Sequence, residues 1–345
     1  MIINLPMTEQ VHVLITLPLP NHLVDQLREI SSRLNIRVMK AQEVGDIQPE
    51  IWQEAEVLYT NKILPEPDQA PGLRWIQFHW AGVNHAIEAP ILGKSDLVAT
   101  TMSGAGATKM AEYILGMLLA LGLGIPSLLE NQARREWPKD RWKRFQPREL
   151  RESTVGIVGY GSIGRQTARL LHAFGARVLA TKRDAMQPKD SGYTPDGFGD
   201  QEGNYVHRLY PAEAVKSMFK ECDFVVIAVP LTDSTLDLIG EDQLYALKPG
   251  AFLVDISRGG VLDHDALIAT LNEGILAGAA LDVFPEEPLP QEHPLWKVPN
   301  VIITPHISGA TRFYDERAVQ MFAENLRLYL SGAPLLNALD LGLGY

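Results

Sequence analysis

Three polar residues follow apolar runs in the second half of the chain. The run 251–256 leads into Ser257-Arg258-Gly259-Gly260, and the run 279–284 leads into Pro285-Glu286-Glu287-Pro288. The run 301–303, with Thr304-Pro305, leads into His306-Ile307-Ser308-Gly309. If each run is a strand of one open α/β sheet, the three polar groups lie beyond strand carboxyl ends, where such sheets bind ligands. Residues far apart in sequence then converge on one crevice. Arginine brings a planar fork of donors, histidine a ring that titrates near neutral pH, and glutamate a carboxylate partner for that ring. Each alone has a plainer explanation: a loop cation, a structural histidine after Pro305, a surface charge.

A second constellation lies upstream. Val155-Gly156-Ile157-Val158-Gly159-Tyr160-Gly161-Ser162-Ile163-Gly164 runs an apolar segment into a glycine turn and then into Arg165-Gln166-Thr167-Ala168. Gly159 permits the tight turn, Gly161 lets the backbone approach a pyrophosphate, and Gly164 lets helix and strand pack closely. Ser162 and Ile163 open the helix, whose free N–H groups face the anion. A strand before and a helix after make this a dinucleotide-binding turn, not a glycine-rich loop alone. The next strand ends in Thr181-Lys182-Arg183, where a carboxylate for the adenosine ribose is usual. Two cations, Lys182 and Arg183, suit a 2′-phosphate, hence NADP over NAD. Asp184 follows and can still reach the ribose, and solvated charges at a strand end are the other reading.

These residues need a scaffold, and composition bounds it. The chain has 345 residues, which suggests about two domains. With 46% hydrophobic residues and 21% charged it builds real cores. A net charge of −11 disfavours a nucleic-acid or anionic-membrane binder. Cys222 is the single cysteine, so no intrachain disulfide and no cysteine-based zinc site forms, and no catalytic metal is expected. The start, Met1 to Met7, lacks a basic region and a cleavage site and reads as a poor secretory signal. Residues 113–129 carry no charge, but their glycines and Pro126 fit a helix buried all round better than a membrane span. A cytoplasmic protein is expected.

Short runs at 11–16, 36–39, 57–59 and 75–78, with helical segments between, read as a first parallel α/β unit. A long helix follows at 108–123, then a polar linker at 134–151 carrying Trp137 and Trp142. A second series has strands at 154–158, 177–180, 224–229, 251–256, 279–283 and 301–303, and a helix at 315–330 closes the chain. Residues 186–210, rich in Gly, Pro and Asp, show no periodicity. They read as a surface insertion or as a flap near a ligand.

The segments 158–164, 222–235, 247–263, 278–290 and 299–311 together resemble the D-isomer-specific 2-hydroxyacid dehydrogenases, a family that includes glyoxylate/hydroxypyruvate reductases and phosphoglycerate dehydrogenase. The resemblance implies two Rossmann-like doubly wound parallel-sheet domains with a cleft between them: residues 1–104 plus 310–345 for substrate, 105–309 for the dinucleotide. It implies an NAD(P)-dependent enzyme that interconverts a 2-oxoacid and a D-2-hydroxy acid. Arg258 is then similar to the arginine that grips the substrate carboxylate and polarises the 2-oxo group. His306 is similar to the proton donor, and Glu287, the acid directly before the proline, to its partner. Val229, Pro230 and Thr235 resemble contacts beside the nicotinamide ribose. Ile256 and Asp282 resemble contacts at the nicotinamide end, Asp282 near the carboxamide, and Gly309 is counted with the cofactor contacts. Trp80-Ala81-Gly82-Val83 resembles the substrate loop, its backbone N–H groups facing the carboxylate, although Asn84 stands where Asp is usual. A homodimer formed partly through 108–142 is implied as well. Two rivals remain on the same fold: a dinucleotide-sensing corepressor-like protein without catalysis, and a formate dehydrogenase-like enzyme.

Overall fold

A computed structural model describes residues 10–190, 192–195 and 197–342; the first seven residues, read above for a secretory signal, lie outside the described residues. The chain divides into two compact units, Met1–Gly106 with Thr311–Tyr345, and Ala107–Ala310.

In the first unit, β1 (Val11–Ile15), α1 (Asn21–Arg28), β2 (Leu34–Val38), α2 (Pro49–Glu54), β3 (Val57–Thr60), β4 (Trp75–Phe78) and β5 (Val98–Thr100) form a parallel sheet of order β2-β1-β3-β4-β5. Every residue of β3 and β4 is buried, as expected for strands covered on both faces. The three-residue β5 is too short to show a period and is invisible in the sequence. The helix closing the chain, α10 (Tyr314–Ser331), belongs to this sheet for definite reasons. Asn325 donates to Gln77 Oε1 at 3.2 Å, Tyr329 donates to Glu56 at 2.5 Å, and the Tyr329 and Trp75 rings stack at 5.4 Å. Beyond the helix, Ala338 bridges antiparallel to Thr100.

The second unit opens with α3 (Ala107–Gly122), α4 (Ile125–Arg134) and α5 (Arg141–Arg144). Its sheet follows: β6 (Thr154–Val158), α6 (Ser162–Ala173), β7 (Arg177–Thr181), β8 (Arg208–Tyr210), α7 (Val215–Phe219), β9 (Phe224–Ile227), α8 (Glu241–Leu244), β10 (Ala251–Asp255), α9 (His264–Asn272), β11 (Leu276–Leu281) and β12 (Val301–Ile303). The order β12-β11-β10-β9-β6-β7-β8 reverses between β6 and β9, so this sheet has one topological switch point. Both units are thus doubly wound parallel sheets, the architecture the sequence implied.

The expectation of one helix buried all round over 113–129 is corrected. Tyr113, Ile114, Leu118 and Leu121 of α3 join the core beside the sheet, but Gly124 takes a φ of +68° and Pro126 starts a new helix bent by 60° from the first. Leu123, Leu128 and Leu129 are exposed. Among the described residues no single helix is long and apolar enough to cross a membrane. The linker 134–151 contains the short α5, and residues 186–210 end in β8, whose three residues pair with β7.

Candidate active site

The turn after β6 is built for an anion. Gly159 has a φ of +102°, and a Cβ there would stand 2.6 Å from the Ala228 carbonyl oxygen, so no other residue fits. A Cβ on Gly164 would meet the Gly159 oxygen at 2.2 Å, whereas a Cβ on Gly161 would meet nothing within 4 Å. Gly161 therefore faces open space at the start of α6, and no side chain caps the helix N–H groups at Ser162 and Ile163. Those groups fit a pyrophosphate. Val229 stands across the turn, its Cγ1 2.8 Å from where a Gly159 side chain would begin, and Thr235 donates to the Pro230 carbonyl at 2.6 Å to shape the following bend. The end of β7 is tied to the same turn: the Gly159 N–H donates to Thr181 Oγ1 at 3.1 Å. The Lys182 ammonium donates to the carbonyls of Gln187 and Lys189, and burial lowers its pKa. Arg183 is exposed, and the Asp184 carboxylate accepts from the Met186 N–H at 3.0 Å.

The polar groups beyond β10, β11 and β12 do come together. Asp255 ends β10 and is 1% exposed; its Oδ1 accepts from the Ser257 N–H at 2.9 Å and from the Ser257 hydroxyl at 2.6 Å. Ser257 in turn offers its carbonyl to Arg258 Nη1 at 2.7 Å. Burial depresses the pKa of Arg258, and the Glu287 carboxylate works against that shift. Gly259 is the reason these loops can touch. A Cβ there would lie 2.1 Å from the Phe284 carbonyl oxygen, so the Arg258 turn packs directly on the backbone that leads to Glu287. Glu287 Oε1 accepts from the Phe284 N–H at 3.0 Å, and Oε2 lies 2.8 Å from His306 Nδ1. The carboxylate is an acceptor, so Nδ1 carries the proton in this pair. Glu286 makes no such contact. The Glu287–Pro288 peptide is cis.

His306 has a φ of +52°, an uncommon conformation for a side-chain-bearing residue, and Asp282 holds it there. Asp282 Oδ1 accepts from the Thr304 hydroxyl at 2.5 Å and the Ile307 N–H at 2.9 Å, and Oδ2 accepts from the Ser308 N–H at 2.8 Å. The Tyr113 hydroxyl of α3 joins Thr304 at 2.7 Å, and Gly309 lies against Met110 of the same helix. Asp282 is thus fully buried beneath the His306 loop, and Ile256 is buried in the core beside the sheet end. Sequence reasoning overlooked Asp255 and this loop-holding role of Asp282. An acid closing each apolar run was the available signal.

In the first unit, the loop after β4 exposes Trp80 and Ala81 and buries Val83. The N–H groups of Ala81, Gly82 and Val83 have no partner among the described residues. Trp80 packs on Tyr314 at 4.6 Å between ring centres. His79 is buried, its ring bonded to the Tyr59 hydroxyl at 2.8 Å and 3.5 Å from Asp315, so it supports the loop from below. No group of three or more metal-ligating side chains occurs among the described residues.

The sequence profile for the NAD binding domain of D-isomer specific 2-hydroxyacid dehydrogenases matches residues 115–308, more than half of the chain. The chain belongs to the D-isomer specific 2-hydroxyacid dehydrogenase family. Among its relatives, glyoxylate reductase of Thermofilum pendens is 34% identical over 80% of this chain and 77% of its own. D-3-phosphoglycerate dehydrogenase of Methanocaldococcus jannaschii is 31% identical over 79% of this chain and 49% of its own. A family member from Xanthobacter autotrophicus, solved with NADPH and MES, superposes with a TM-score of 0.78 at 27% identity, covering 98% of this chain and all of that one. As a 2-hydroxyacid dehydrogenase the chain is an oxidoreductase that uses a nicotinamide cofactor, and the turn after β6 fits that group.

Proposed function

We propose that this dehydrogenase reduces a small 2-oxoacid to the D-2-hydroxy acid, with NADPH preferred over NADH. The carrying observation is the 2.8 Å pair of His306 and Glu287, with the Arg258 turn packed against the same backbone. The dinucleotide, held by Gly159, Gly161, Ser162, Ile163 and Gly164 and flanked by Val229, Pro230 and Thr235, supplies the hydride when bound. Arg258 receives the substrate carboxylate and draws electron density from the 2-oxo oxygen with its fork of donors. His306, oriented by Glu287 and by the Asp282-held loop, gives the proton from Nε2 to that oxygen, and takes one back in the reverse direction. In the first unit the amides of Ala81, Gly82 and Val83, which have no partner among the described residues, can donate to a carboxylate, and we assign them, with Trp80, to substrate binding.

For the cofactor, the support is what stands at the end of β7. β7 ends in Thr181, Lys182 and Arg183 follow in place of a carboxylate, and Asp184 accepts from the N–H of Met186. A proton donor held by a carboxylate has no use in a dinucleotide sensor or in formate oxidation, which favours the reductase. We also propose a homodimer that covers the apolar surface of α3 to α5, where Trp137 and Trp142 are 82% and 79% exposed. The test is catalytic efficiency with NADPH and NADH side by side on the best 2-oxoacid, with the product's configuration determined. The reading predicts a D-product, a preference for NADPH of at least tenfold, and its reversal in Lys182→Asp. Better use of NADH, or an L-product, refutes it.

A further inference from the structure

The described residues of 186–210, a stretch without periodicity in the sequence, are latched onto the cofactor turn. Asp200 is the centre of that latch and is 4% exposed. Its carboxylate accepts from the Tyr160 hydroxyl, from the Asn204 N–H at 2.7 Å and from the Tyr205 N–H at 2.9 Å. Tyr160 is the residue between Gly159 and Gly161. Arg165, at the start of α6 and 1% exposed, donates to the Asp200 carbonyl and, at 2.7 Å, to the Pro188 carbonyl. Its guanidinium lies 4.5 Å above the Tyr160 ring, with Asp190 at 3.6 Å. The next residue, Gln166, accepts the Gly199 N–H at 2.6 Å. The near end of the segment closes on β7, where Gln187 and Lys189 hold the Lys182 ammonium through their carbonyls.

Two of the Asp200 bonds, to the Asn204 and Tyr205 N–H groups, brace the segment itself; the other ties end on the glycine turn, on the first two turns of α6 or just past the tip of β7. These are the three elements that border the adenosine end of a dinucleotide in this fold. Two neutral carbonyls fix the Lys182 ammonium without cancelling its charge. A cation fixed in advance binds an anion with less loss of side-chain freedom.

We propose that residues 184–190 and 197–205 form a fixed rim of the adenosine end, and that Asp200 is a positioning residue which, through the rim, holds Lys182 for the 2′-phosphate of the cofactor. This deepens the cofactor reading above and rests on it. A carboxylate that gathers one hydroxyl and two N–H groups contributes charge-assisted bonds. Asp200→Asn weakens all three, frees the rim and returns the Lys182 side chain to solvent.

The test uses two fragments of the cofactor, 2′,5′-ADP and 5′-AMP, titrated calorimetrically into the full chain, so no readout depends on turnover. The wild type is expected to bind 2′,5′-ADP the more tightly. Asp200→Asn is expected to weaken 2′,5′-ADP about tenfold, the effect of one lost charge-assisted contact, and to leave 5′-AMP within about twofold. Tyr160→Phe removes a single bond of the latch, serves if Asp200→Asn does not fold, and should shift the same ratio in the same direction. In a Lys182→Met background Asp200→Asn should add almost nothing, because the effect runs through that ammonium. Equal weakening of both fragments, an unchanged ratio, or full additivity with Lys182→Met overturns the proposal. A wild type that binds 5′-AMP as well as 2′,5′-ADP overturns the NADPH reading itself, which separates the two failures.

Discussion

Asp255→Asn should stabilise the second unit, and by an amount that grows with pH. The carboxyl sits at the end of a buried strand, and burial raises its pKa from 3.8 to about 7. The two Ser257 bonds oppose that rise, and the Asp282 charge adds to it. A carboxyl whose folded pKa is raised gives no effect below the unfolded pKa, where both states hold the proton. Between 3.8 and about 7 the unfolded chain releases its proton and the folded chain keeps it, so stability falls as pH rises, and the loss is complete above 7. Each pH unit in that window costs about 1.4 kcal/mol, hence about 3 kcal/mol between pH 5 and pH 8. Asparagine keeps an oxygen for the Ser257 N–H and hydroxyl but has nothing to ionise. Thermal melts of both proteins at pH 5, 6, 7 and 8 are the assay. At about 2–4 °C per kcal/mol for a unit of this size, the advantage of the variant should widen by roughly 6–12 °C from pH 5 to pH 8. A difference that is flat with pH, or that shrinks, would show that Asp255 is ionised in the fold and refute the reasoning.

Three further outcomes follow from the site. His306→Asn should lower turnover by about 10²–10⁴-fold with the cofactor dissociation constant nearly unchanged, read by steady-state kinetics and fluorescence titration; a loss under about tenfold where chemistry limits the rate removes His306 from the role. Arg258→Lys should cost roughly tenfold or more in catalytic efficiency, because an ammonium cannot form two parallel bonds to a carboxylate; full efficiency would assign the carboxylate to another cation. Sedimentation at micromolar concentration should show a species of twice the 38.2 kDa chain mass, and Trp137→Glu with Trp142→Glu should shift it toward the monomer; a single species at the chain mass in the wild type would exclude the dimer.

The architecture was legible because parallel strands covered on both faces read as continuous apolar runs, and ten of these had recognisable ends. What escaped were elements too short to carry a period, namely β5, β8 and α5. The break at Gly124 escaped too, since composition alone does not separate one buried helix from two at an angle. At the site, residue types at strand ends named Arg258, Glu287 and His306, and the structure brings the last two into contact. The supports behind them were harder to see. Asp255 and Asp282 end apolar runs and look like strand punctuation, but their partners are backbone N–H groups and hydroxyls that only the folded loops bring near. The segment 186–210 gave no signal because its order comes from Tyr160, Arg165 and Gln166, side chains that belong to the glycine turn and its helix.

The most direct test of the central claim is cofactor absorbance on mixing the purified protein with NADPH and a panel of 2-oxoacids, from glyoxylate and hydroxypyruvate to bulky aromatic ones. The account predicts that NADPH is stable with the protein alone, is consumed when a small 2-oxoacid is added, and is hardly consumed by the Arg258→Lys and His306→Asn variants. Tight NADPH binding with no consumption on any 2-oxoacid, or consumption that both variants retain in full, would contradict it.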